Sequence, residues 1–121
     1  MTSSTTTGPA VTQTPPFTIF MLLRALPAWL ALPRPQRNTI AESAMAHALK
    51  EGTVSVRHFD AEAFTAQCSD VAVFETPDLP SFYRAVERLR DSALFTTPYF
   101  ELVQILPSIE NGFRHFEQSE A

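Results

Sequence analysis

The sequence is poor in the residues that announce the commonest functions. It has one cysteine (Cys68), three glycines and one lysine (Lys50). A lone cysteine excludes an intrachain disulfide and a cysteine-rich metal centre, and it fits a reducing, cytoplasmic setting. Gly8, Gly52 and Gly112 stand far apart, so no glycine-rich loop is available to cradle a phosphate. No G-x-S-x-G nucleophile elbow occurs. The eight arginines are interspersed with acidic residues and the net charge is −4, which leaves no basic footprint for nucleic acid. A long apolar run is also missing. The stretch FTIFMLLRALPAWLAL, from Phe17 to Leu32, is broken by Arg24 and Pro27 and is short for a membrane span. No basic region precedes it, as one would in a signal peptide. It reads as a buried strand and its exit loop, and neither nucleic acid nor a membrane is expected as a partner.

What is abundant is phenylalanine. Ten of them give a 121-residue chain enough large apolar surface for one core, and the length allows one domain. Residues 1–16, MTSSTTTGPAVTQTPP, have little to bury and are expected to be a disordered tail, leaving 17–121 as a single α+β domain. The domain begins with a strand apolar on both faces: Phe17, Ile19, Met21 and Leu23 on one, Phe20 and Leu22 on the other. Pro27, Pro33 and Pro35 make the next segment a loop carrying Trp29. Helical spacing of Ile40, Ala44, Met45 and Leu49 then predicts a helix that begins near Pro35 and ends at Gly52. Alternation predicts strands at Thr53–Phe59 and Val71–Thr76. Asp78 and Pro80 open a second helix running to about Leu94, and a last strand spans Tyr99–Leu106. The order βαββαβ predicts a ferredoxin-like, four-stranded antiparallel sheet with both helices on one face.

That order leaves an apolar sheet face without cover, which soluble monomers rarely tolerate. A two-fold homodimer through this face is the expected solution. The alternative is that the Trp29 loop and the C-terminal tail, with Phe113 and Phe116, fold over it.

Two resemblances follow. The strand and helix order with an apolar second face resembles the dimeric α+β barrel superfamily. The runs FTIFMLL, PAWLAL, RHFDAEAF, SDVAVFET, FYRAVERLRDSALF and PSIENGF resemble the darcynin-like family of small bacterial proteins, from about Phe17 to about Phe116. The darcynin resemblance implies a domain boundary and no particular chemistry. The barrel resemblance implies a host for cofactor-independent monooxygenation, cyclisation or isomerisation of apolar, oxygenated small molecules, as in secondary metabolism. Some barrels of that kind hold haem.

The densest polar segment is Arg57-His58-Phe59-Asp60. Period two puts His58 and Asp60 on one strand face, where a carboxylate can orient an imidazole as a general base. His58 and Asp60 are therefore the candidate catalytic pair, and a hairpin-end network is the structural alternative. Arg57 and Tyr83 are candidates to hold a substrate oxygen. Glu101, among apolar strand residues, needs a partner such as Arg57 or serves as the charged floor of a pocket. Trp29 is placed to lid a pocket or plug the end of the core. His47, His58 and His115 are distant in sequence, so no metal site and no cofactor are expected. Two readings remain: a small enzyme with His58 in an apolar pocket, or a non-catalytic binding or accessory protein whose second face is an interface.

Overall fold

The computed structural model describes residues 15–121, so the Thr-rich start lies largely outside it. Its strands are β1 (Phe17–Ala25), β2 (Ser55–Asp60), β3 (Asp70–Thr76) and β4 (Phe100–Ile109). Its helices are α1 (Pro27–Leu30), α2 (Arg34–Ala48), α3 (Leu79–Arg90), α4 (Ala93–Thr96) and α5 (Gly112–Glu120). The sheet order is β2-β3-β1-β4 and every neighbouring pair is antiparallel. This is the ferredoxin-like arrangement that the order of elements predicts. β1 lies in the middle of the sheet, with Ile19, Met21 and Leu23 buried on one face and Phe20 exposed on the other.

Alternation sorts the side chains cleanly. Ile19, Met21 and Leu23 of β1 join Ala72 and Phe74 of β3 in the core. Phe82, Ala85 and Leu89 of α3, spaced by three and four, close over them, and Ile40, Ala44, Met45 and Ala48 of α2 pack alongside. The rings of Phe74 and Phe82 meet edge to face, 5.3 Å apart. Past α2, Gly52 takes a left-handed conformation (φ +78°) that only a residue without Cβ adopts freely. Just before it, Glu51 accepts hydrogen bonds from Arg84 (2.9 Å) and Arg88 (3.0 Å) of α3 and ties the helices together. The Arg84 hydrogen bond is the main reason its carboxyl is lowered to about 2.

Four features depart from the sequence reading. The proline-rich loop contains a helical turn, α1, because Pro27 sits at its first position, where no N–H is needed. The second long helix ends at Arg90 rather than near Leu94, and Ser92 caps a separate turn, α4. β4 continues through Pro107 to Ile109, which an edge strand tolerates because one of its sides makes no ladder. The tail forms α5 after Asn111 turns the chain with φ 50°, but α5 buries none of its residues, so Phe113 and Phe116 are exposed. Trp29 belongs to the core cluster with Ile19 and Met21 and therefore lies on the helix side of the sheet. The opposite face carries Phe20, Phe59 and Leu106 in the open. Among the described residues, no helix is long and apolar enough to cross a membrane.

Candidate functional site

Where β2 and β3 meet the start of α2, the surface opens into a cleft of about 410 Å³. One wall comes from the strand ends. His58 and Asp60 share a face of β2, as alternation predicts, and Asp70 begins β3 directly opposite Asp60 in the ladder. Glu62, just past β2, continues this wall. The facing wall is one stripe of α2, with Arg34, Arg37, Asn38 and Ala41 at helical spacing. Trp29 and Leu30 of α1 border the cleft between the walls. Trp29 is held from behind by Phe100 and Tyr99, with ring centres 4.9 and 5.4 Å away.

Inside the cleft His58 Nε2 meets Asp70 Oδ2 at 2.6 Å. Asp60 Oδ1 is farther from the same nitrogen, at 3.9 Å. Asp70 is largely covered, with 14% of its side chain exposed, against 81% for Asp60. A second hydrogen bond fixes Asp70: the Ser69 hydroxyl donates to its Oδ1 while accepting the backbone N–H of Ala25 at 2.7 Å. Both carboxylate oxygens thus accept, so Nε2 is the donating nitrogen, and in the neutral imidazole Nδ1 keeps its lone pair. An oriented imidazole with a basic nitrogen to spare can take a proton from a bound molecule.

The other sequence candidates lie elsewhere. Arg57 is on the opposite face of β2, its guanidinium 5.5 Å from the centre of the Phe59 ring. Tyr83 is exposed on the outer side of α3. Glu101 is on β4, paired with Arg24 at 2.9 Å rather than with Arg57, and borders a separate hollow with Arg90 and Phe95. Of the proposed set, the fold brings together His58, Asp60 and Trp29. Asp70, Ser69, Arg34 and Arg37 were not singled out from the sequence. The stripe 34, 37, 38, 41 on one helix face was the signal available for the arginines. Asp70 is legible only once the β2–β3 register is known.

No metal site is expected from the sequence, yet ligand atoms of His58, Asp60 and Asp70 lie within 4.8 Å of one another. A divalent cation there would need Nε2 stripped of its proton and turned from Asp70. The hydrogen bonds from Ser69 and His58 favour the protonated arrangement instead. The histidines do not fit a haem. His58 is bonded to a carboxylate in a charged cleft, His47 lines an open hollow with Ser43 and Ser92, and His115 belongs to the outlying α5.

A family model described as "Darcynin, domain of unknown function" matches residues 1–121, a wider span than the Phe17–Phe116 resemblance. A darcynin of Chromobacterium violaceum is 58% identical over 64 residues, covering 53% of this chain and 81% of that protein. A darcynin homolog of Granulibacter bethesdensis is 35% identical over 101 residues, covering 82% of this chain and 81% of the relative. Among solved structures, two of chlorite dismutase from Candidatus Nitrospira defluvii superpose with TM-scores of 0.67 and 0.69, at 20% and 18% identity. Each covers 88% of this chain, which spans only 45% of theirs. At that identity the likeness is one of fold.

Proposed function

The chain belongs to the darcynin family, and from its cleft we propose that it is a small, cofactor-independent proton-transfer catalyst acting on an oxygenated organic molecule, with His58 as the base. The observation that carries this reading is the 2.6 Å hydrogen bond between His58 Nε2 and an Asp70 carboxylate itself anchored by Ser69. His58 Nδ1 removes a proton from a carbon or oxygen acid in the cleft, and the negatively charged Asp70 stabilises the imidazolium that results. The same nitrogen returns the proton to another atom of the molecule, so an isomerisation or ring closure balances without a co-reactant. Asp70 is a positioning residue in this scheme, and Trp29 supports the apolar middle of the substrate. A buried, free Cys68 is in keeping with a cytoplasmic home.

A second reading concerns the other face. Phe20, Phe59 and Leu106 stand exposed on a sheet face that, among the described residues, no helix of the core covers. They favour a homodimer through this face, whether the protein is a catalyst or an accessory binding module.

The catalytic reading is tested by hydrogen exchange in deuterium oxide, followed by mass spectrometry, over a panel of α-keto acids and β-diketones. The protein should accelerate exchange of at least one, and His58→Ala should reduce that acceleration at least about tenfold, near 1.4 kcal/mol, with its circular dichroism unchanged. Equal exchange by the folded variant contradicts it, as does a panel left entirely at the buffer rate.

A further inference from the structure

We propose that the cleft binds a small zwitterion, its anionic group against α2 and its ammonium group against the strand wall. This names the ligand class of the site just described, and so rests on the reading of the cleft as a binding site.

The cleft holds opposite charges that do not meet. Elsewhere on the surface several opposite charges close into ion pairs: Arg84 and Arg88 on Glu51, and Arg24 on Glu101, at 2.9 to 3.0 Å. The cleft has cations on one wall and carboxylates on the other, yet among the described residues no ion pair spans it. Among the described residues Arg34 finds no side-chain hydrogen-bond or ion-pair partner. Arg37 donates only to backbone carbonyls, those of Leu32 (2.9 Å) and Leu30 (2.8 Å), which fix its position and leave its charge unneutralised. Opposite them, among the described residues, Glu62 has no cationic partner and Asp60 has only the distant His58.

The α2 wall is positive for a further reason: Arg34 is the first residue of a 15-residue helix, whose amino end carries the positive pole of the peptide dipoles. The strand wall holds three carboxylates against one imidazole. A purely anionic ligand would suit the first wall and be repelled by the second, and a purely cationic one the reverse. A molecule with both groups on a short apolar spacer satisfies both, with the spacer beside Trp29 and Ala41. The volume, about 410 Å³, admits a molecule of amino-acid size and places its middle within reach of the His58 ring.

The test is titration calorimetry at low salt with γ-aminobutyrate and δ-aminopentanoate, each beside its singly charged analogues: butyrate and butylamine, pentanoate and pentylamine. At least one zwitterion should bind about tenfold or more tightly than both of its analogues. Arg34→Gln should bring that zwitterion down to the level of the amine, and Glu62→Gln to the level of the carboxylate. Both positions are exposed, so neither change threatens the fold. Binding that does not prefer either zwitterion over its analogues, or a preference that survives both substitutions, overturns the proposal. The two readings fail separately. Zwitterion preference without His58-dependent exchange removes the base and keeps the ligand class. Exchange that depends on His58, without zwitterion preference, does the opposite.

Discussion

Replacing Trp29 with alanine probes the joint between the core and the cleft. Trp29 is 9% exposed and packs on Phe100 and Tyr99 while supporting the cleft from below. Removing a buried indole costs about 3 to 5 kcal/mol, through lost transfer free energy and the cavity left behind. The void here opens into the cleft, where water can enter, so the low end applies and Trp29→Ala should destabilise the domain by about 3 kcal/mol. At roughly 4 °C or more per kcal/mol for a domain of this size, the melting temperature should fall by roughly 12 °C. Trp29 is the only tryptophan. The measurement is therefore urea unfolding followed by circular dichroism rather than by fluorescence. Trp29→Phe retains a ring for its neighbours and should lose much less. A loss below about 1 kcal/mol in the alanine variant would place Trp29 outside the core and refute the packing described.

Other expectations follow from single contacts. The Glu51 carboxyl is lowered from 4.5 to about 2, so its ion pairs stabilise the fold fully above pH 4.5 and are lost as pH falls toward 2. The gap in urea midpoint between the wild type and Glu51→Gln should therefore be constant near neutrality and shrink across that window; a gap unchanged at the acid end would contradict the assignment. Gly52→Ala should cost about 1 kcal/mol by denaturant unfolding, from backbone strain alone, because a Cβ there meets nothing within 4 Å; a neutral change would mean the left-handed turn is not required. Light scattering at micromolar concentration should give twice the chain mass, and Phe20→Asp with Leu106→Asp should give a monomer; a monomeric wild type removes the dimer.

How much of this was legible in the sequence depends on how local each signal is. The strand order and the two long helices are written in spacings of two and of three to four, and β1 declares its central place by being apolar on both faces. His58 and Asp60 fell on one face for the same reason. The contact that matters most, His58 to Asp70, joins residues twelve apart across a hairpin whose register no local pattern gives. Asp70 read as the end of a connection because the alternation of β3 becomes visible only from Val71. Arg57, chosen for its nearness in sequence to His58, lies across the sheet because adjacent strand residues point to opposite faces. Tyr83 was selected by residue type and Glu101 for its place among apolar strand residues, and the fold carries both away from the cleft. The arginines of α2 were passed over because their role depends on a wall supplied by other elements.

The central claim is that His58 holds its proton on Nε2, toward Asp70, and keeps Nδ1 free to act as a base. Nitrogen NMR of the labelled histidine rings in alkaline buffer tests this without any substrate, since protonated and bare ring nitrogens differ widely in shift. The account predicts a protonated Nε2 and a bare Nδ1 for His58, with that distinction weakened in Asp70→Asn. A bare Nε2 with the proton on Nδ1 would contradict it, because a carboxylate that only accepts could not then hold the ring at 2.6 Å.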